Sequence, residues 1–154
     1  MGAVESIGRY ELLNRLALGG MAEVFLARQA GIEGFEKLVV IKRILPHLVD
    51  SPQFLQMFLD EARLAAQLNH PNIVQIYDLG RVEDQYFIAM EHVNGLDLNR
   101  ILRRERKRDG RIPLAHAIKI LCYVCEGLTY AHSRKDQTGK PLRIVHRDVS
   151  PHNL

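Results

Sequence analysis

Lys42 and Glu61 are two charges whose neighbours make ordinary surface positions hard to justify. Lys42 ends the run Leu38, Val39, Val40, Ile41, Lys42, and an ammonium set in so apolar a strand needs a counter-charge. Glu61 falls at helical spacing on the stripe of Phe54, Phe58, Ala65 and Leu68, which predicts a carboxylate pointing toward the packed side. The two satisfy each other as a buried ion pair, where removing either member costs about 3–5 kcal/mol. Such a pair fixes a cation for use. On these residues alone a purely structural pair, or a lysine that snorkels to the surface, is the better account.

Other residues with chemical potential are less suggestive. His146 and His152 have no third ligand at a convincing spacing, which argues against a transition-metal site. Cys122 and Cys125 form a lone Cys-x-x-Cys in an apolar helical stretch, with no second pair and no βαβ context, so core packing is the expectation. The run from Arg103 through Arg111 is the most visible source of the net charge of +3. No stacking aromatics interleave with it, so it reads as a solvated helix end and loop, not a nucleic-acid or anionic-membrane patch.

The elements that must position these groups follow from periodicity and breakers. Tyr10 to Leu16 and Glu23 to Arg28 are predicted strands around a turn at Gly19 and Gly20, and Lys37 to Leu45 is a third. Ser51 followed by Pro52 predicts a hydroxyl-capped helix running to about Asn69, before His70 and Pro71. Ile73 to Gly80 and Gln85 to Glu91 form a second strand pair, and Asn94 with Gly95 breaks the chain. Helices follow at about Leu98 to Arg108 and Leu114 to Ser133, then a loop at Asp136 to Pro141 and a short strand near Ile144.

His146, Arg147 and Asp148, followed after four residues by Asn153, resemble the catalytic loop of protein kinases. Val39, Val40, Ile41, Lys42 is similar to that family's Val-Ala-Ile-Lys strand, with Glu61 as the partner of the lysine. Ala17 to Val24 is similar to the glycine-rich loop, keeping only the central Gly19; Met90 to Asp97 looks like a hinge. The resemblance implies an α+β, protein-kinase-like fold, with a β-rich nucleotide-binding lobe over 9–91, a hinge and the beginning of the helical lobe over 92–154, and a tail at 1–8. It implies ATP and Mg2+ as cofactors. Leu16, Gly19, Val24, Val40, Lys42, Glu61, Glu91, Val93 and Asp97 would serve the nucleotide, Asn153 would bind the metal, and Asp148 would take the proton of the substrate hydroxyl. Serine/threonine kinases usually carry Lys two residues after the Asp, where this chain has Ser150. Tyrosine kinases differ there too, so this loop leaves the acceptor hydroxyl open, while the resemblance of Ser150, Pro151 and His152 to a subset of bacterial kinases of the eukaryotic type favours a serine/threonine substrate protein.

The helix at Leu114 to Ser133 is apolar around most of its circumference, so it is expected to need cover on more than one side, from later residues or a partner. The family's Asp-Phe-Gly and later helices are not in this sequence, and without them phosphate transfer is expected to be poor. The first expectation is therefore the N-terminal part of a serine/threonine kinase domain; the alternative is an inactive short binding or regulatory module. No apolar run reaches the roughly 18–20 residues of a membrane span, and no signal-peptide layout appears, which gives a cytoplasmic expectation. Met1, Gly2 and Ser6 fit a loose N-myristoylation pattern with too few fixed positions to predict an anchor.

Overall fold

A computed structural model describes residues 5–31 and 34–154. Met1 and Gly2 of the lipidation pattern lie outside the described residues. The chain divides into two compact units, Met1–Asn69 with Val74–Val93, and His70–Ile73 with Asn94–Leu154. The division after Val93 falls two residues beyond the expected end of the first lobe, and it assigns the short segment around Pro71 to the second unit.

The first unit is a six-stranded antiparallel sheet in the order β1-β2-β3-β4-β6-β5. Its strands are β1 (Ser6–Ile7), β2 (Tyr10–Leu18), β3 (Ala22–Ala30), β4 (Glu36–Ile44), β5 (Ile76–Val82) and β6 (Gln85–Glu91). Strand β1 corrects the expected tail, since Ser6 and Ile7 pair with Glu11 and Tyr10 and Ile7 is buried. Alternation along β4 divides its residues between two cores. Val39 and Ile41 face a cluster with Ile7, Tyr10, Phe25 and Phe87. Ile44 faces the other way, into a cluster with Ala22, Ile88 and the helical residues Phe58 and Ala62.

Two helices belong to this unit, the single turn α1 (Pro46–Val49) and α2 (Pro52–Ala65). Proline opens α2 as predicted, but the Ser51 hydroxyl makes no capping bond. Instead the Ser51 carbonyl accepts from the Leu55 amide at 3.1 Å. The helix stops at Ala65, and Leu68 remains buried in the turn that follows.

The second unit contains α3 (Leu98–Arg106) and α4 (Leu114–Ser133), the latter with its predicted bounds. Only Gly127 and Ala131 of α4 are buried. Gly127 lies where the helix meets the 70–73 segment, and a Cβ there would sit 3.3 Å from the Asn72 carbonyl oxygen. The Asn72 side-chain amide donates to the Tyr123 carbonyl and to Glu126, each at 3.1 Å. Elsewhere α4 is largely uncovered, with Leu114 76% and Leu121 60% exposed. Cys122 and Cys125 are exposed free thiols, which corrects the expectation of core packing: the 70–73 segment covers α4 at Gly127, and the two thiols lie outside that contact. The strand predicted near Ile144 is also absent; the described pairing there is one isolated bridge, Lys135 to Pro141. Among the described residues no helix is long and apolar enough to cross a membrane.

Candidate active site

Three strands of the first unit set one row of side chains in register, Val24 opposite Lys42 and Lys42 opposite Ile88. The next row is Leu26, Val40 and Met90. Because Val39 and Ile41 are committed to the opposite core, Val24, Val40 and Lys42 share a face, as alternation predicts. A register shift in β2 between Arg15 and Ala17 leaves Leu16 as the extra residue of a bulge, 48% exposed. Past the bulge, the Gly19 amide donates to the Ala22 carbonyl at 2.9 Å and closes the hairpin. The arrangement offers an apolar surface and a cation side by side.

Lys42 Nζ lies 2.7 Å from Glu61 Oε1, so the predicted pair forms. Its setting differs from the prediction. The Lys42 side chain is 26% exposed and that of Glu61 54%, which makes this a half-open ion pair and not a buried one. The reason is helical geometry: Phe58 and Ala62 take the packed positions of α2, and Glu61 sits at the margin of that stripe. Lys42 also stands 6.0 Å from the Phe58 ring centroid, at the limit of cation–π range.

Its neighbour Arg43, which sequence reasoning missed, is the better-buried charge. Its guanidinium binds Glu5 at 2.5 Å and Glu23 at 2.9 Å, and its side chain is 13% exposed. It also donates to Gln85 at 3.2 Å and lies 4.8 Å from the Phe25 ring centroid. Hydrogen bonds from Arg43 and Arg15 outweigh desolvation and hold the Glu23 carboxyl below the usual glutamate range. The signal was available, because the alternation that puts Val40 beside Lys42 also puts Arg43 on the face of Val39 and Ile41.

At the end of this unit, the Glu91 amide donates to the Gln75 carbonyl at 2.8 Å, and the Glu91 carboxylate accepts from the Gln75 amide at 3.2 Å. Val93 follows and is 61% exposed. The Glu91 side chain is thus occupied with holding the strand, leaving backbone groups as what this segment can present.

The second unit positions Asp148 through the start of α3. Asp97 caps that helix, accepting from the Arg100 amide at 2.8 Å and pairing with Arg100 Nε at 3.2 Å. The next two helix amides, Leu98 and Asn99, donate to the carbonyls of Leu154 and Pro151 at 2.8 and 2.9 Å. Helix amides that lack intrahelical partners therefore anchor the final loop. Within it, Arg147 holds a left-handed backbone with φ of 67°. The Asp148 amide donates to His146 Nδ1 at 3.2 Å. Asn153 Nδ2 donates to the Asp148 carbonyl at 3.0 Å and to Asp148 Oδ2 at 2.8 Å. Among the described residues Asp148 Oδ1 and Asn153 Oδ1 make no hydrogen bond, so one acceptor on each residue is free.

That donor set suits a hard cation in a particular way. No group of three or more His, Cys, Asp or Glu residues could hold a metal among the described residues. Mg2+ in phosphate chemistry is commonly held by one or two protein oxygens together with substrate phosphates, for which the free amide oxygen of Asn153 is adequate. A recess of about 20 Å³ beside Lys42 and Glu61 has room for little more than a water.

A model of the protein kinase domain matches residues 10–154. The chain is 49% identical to the tyrosine-protein kinase MasK of Myxococcus xanthus over 98% of its own length and 23% of that protein's. It is 35% identical to the serine/threonine-protein kinase PrkC of Bacillus subtilis, over 96% of this chain and 20% of the relative. Among solved structures, the PknI kinase domain of Mycobacterium tuberculosis superposes with a TM-score of 0.72 at 28% identity, covering 99% of this chain and 57% of that one. The chain thus spans under a quarter of these curated relatives.

Proposed function

Because the chain belongs to the protein kinase domain family, we propose that it is part of a catalytic domain that binds ATP with Mg2+ and phosphorylates a protein hydroxyl. The observation that carries this reading is the Lys42–Glu61 contact of 2.7 Å, on the sheet face that also presents Val24 and Val40. Lys42 binds phosphate oxygens, and Glu61 keeps its ammonium extended toward them. Leu16, Val24 and Val40 take the adenine, the Glu91 carbonyl and Val93 backbone bond its edge, and the Gly19 turn covers the phosphates. Asp97 serves the ribose least freely, since Arg100 already engages both of its oxygens.

Asp148 accepts the proton of the attacking hydroxyl as the new oxygen–phosphorus bond forms and the bond to the ADP oxygen breaks. Asn153 fixes Asp148 through its amide nitrogen and offers its free oxygen to the metal. Bound Mg2+ supplies charge neutralisation of the phosphates. A purely binding module leaves the joint presence of Lys42, Glu61, Asp148 and Asn153 without a reason. Action in the cytoplasm, where ATP is available, goes with this assignment.

We favour serine or threonine as the acceptor. Tyrosine is a second reading because the relative at 49% identity is named a tyrosine-protein kinase and Ser150 stands where serine/threonine kinases usually have Lys. The test is transfer of labelled phosphate from ATP by the longer protein that contains this chain, followed by identification of the labelled amino acid. Lys42→Met and Asp148→Asn are expected to abolish transfer. Full activity in either variant refutes the role assigned to that residue, and labelled tyrosine alone overturns the acceptor preference.

A further inference from the structure

The face of the sheet turned away from Lys42 carries a chain of charges at the neck of the hairpin that ends in the Gly19 turn. Glu23 is its centre: Oε2 accepts from Arg43 Nη2 at 2.9 Å and Oε1 from Arg15 Nη1 at 3.1 Å, so each carboxylate oxygen serves one guanidinium. The three side chains come from β2, β3 and β4 and tie those strands together. Arg43 continues the chain to Glu5, ahead of β1, and to Gln85 at the start of β6.

Strand register places this clasp directly behind the candidate site. Glu23 lies opposite Arg43, and on the adjacent rung Val24 lies opposite Lys42. Alternation turns the Val24–Lys42 rung toward the nucleotide face and the Glu23–Arg43 rung toward the core of Phe25, Val39 and Ile41. In β2 the same neck is interrupted, because the register shift between Arg15 and Ala17 breaks the ladder where the strand leads into the turn. The Arg15 side chain reaches across that break to Glu23. Past the neck, the Leu45 amide donates to the Met21 carbonyl at 3.0 Å, Leu18 is 61% exposed, and a Cβ at Gly20 would meet nothing within 4 Å. The turn is therefore placed mainly by what holds its neck.

We propose that Arg15, Glu23 and Arg43 are positioning residues for the nucleotide: from the reverse face they fix the β2–β3 hairpin on β4, and with it the height of the Gly19 turn over the phosphates. The inference rests on the reading of this face as an ATP site. Apolar residues at the neck would join the strands as firmly, but a carboxylate shared between two guanidinium groups also sets their direction and register. The row of Leu26, Val40 and Met90 lies deeper in the sheet and does not depend on the clasp, so its loss acts on the phosphates and spares the adenine. Such an effect is measurable, since a misplacement of about 1 Å at a positioning group can cost about 10²-fold.

The test is calorimetric binding of ATP and of adenosine to the longer protein that contains this chain, together with KM and kcat for ATP. The variants are Glu23→Ala, Glu23→Gln and Arg15→Met; Arg43 is kept because the lobe depends on it. Arg28→Met is the control, removing a bridge from β3 to Glu11 of β2 and Glu36 of β4 at the far end of the same three strands. Glu23→Ala is expected to weaken ATP about tenfold and adenosine less than about twofold, with KM for ATP rising and kcat nearly unchanged. Arg15→Met acts in the same direction, and Glu23→Gln, with a single acceptor oxygen for two arginines, falls between wild type and Glu23→Ala. ATP affinity unchanged in Glu23→Ala overturns the proposal. Equal loss of ATP and adenosine, or the same selective loss in Arg28→Met, reduces the clasp to general stability and overturns it too. A wild-type protein that binds neither ligand overturns the ATP reading itself, a result distinct from normal wild-type binding with indifferent variants.

Discussion

Lys42 and Arg43 are adjacent cations on opposite faces of β4, and the structure predicts very different consequences of removing each. Lys42 pairs with a carboxylate that is 54% exposed. At 2.7 Å in a water-like dielectric the gross attraction is about 1.5 kcal/mol, and immobilising two long side chains offsets much of it. Lys42→Met is therefore expected to change unfolding free energy by less than about 1 kcal/mol. Arg43 contacts Glu5, Glu23 and Gln85 from a site where it and Glu23 are 13% and 14% exposed. Arg43→Met leaves Glu23 with only Arg15, and the expected loss is about 2–4 kcal/mol. For a lobe of this size that lowers the melting temperature by about 10 °C or more. Urea denaturation followed by circular dichroism measures both. A loss of about 3 kcal/mol or more for Lys42→Met, or under about 1 kcal/mol for Arg43→Met, refutes the inference that burial sets the cost at these two positions.

Gly80→Ala should destabilise by about 1–3 kcal/mol, because the new Cβ would lie 2.3 Å from Cζ of the buried Phe87 ring; denaturant midpoints test this. Glu23 has a folded-state pKa below its ordinary 4.5, owing first to the Arg43 hydrogen bond and then, against desolvation, to Arg15. Its stabilisation is therefore complete above the unfolded value and is lost as pH falls through the lower folded value, so the urea midpoint should drop below about pH 4.5 and this part of the drop should shrink in Arg43→Met, where Arg15 remains. Replacing Leu114 and Ile118, 76% and 52% exposed, with Glu and Lys should reduce self-association in light scattering while leaving stability within about 0.5 kcal/mol.

The regular elements were legible where pattern and breakers agreed. Helix α4 runs from Leu114 to Ser133 as expected, and alternation in β4 puts Val40 on the face of Lys42. The misses arose where tertiary cover decided the outcome. Glu61 lies on a plausible apolar stripe with Phe54, Phe58 and Ala65, but the positions α2 buries are Phe58 and Ala62, which turns the packed line away from Glu61. Cys122 and Cys125 look like core residues until one asks what packs over α4. Strand β1 is too short for a periodic signal, and Ile144 has β propensity without a neighbouring strand to pair with. In the site, residue types and spacing identified Lys42 with Glu61 and Asp148 with Asn153. They could not show that Asp97 and Glu91 spend their carboxylates on helix and strand ends, because that depends on Arg100 and Gln75.

The alternation of β4 between the core that takes Val39 and Ile41 and the face on which Val40 and Lys42 are proposed to meet nucleotide has a consequence for descent. Val39, Ile41 and Arg43 carry the folding constraint, while Val40 and Lys42 stand largely apart from it. On the roles proposed for Val40 and Lys42, selection on catalysis and selection on folding act on alternate codons of one strand. A lineage released from the need to transfer phosphate could replace Lys42 and still inherit a folded lobe, whereas change at Arg43 would be purged in active and inactive descendants alike.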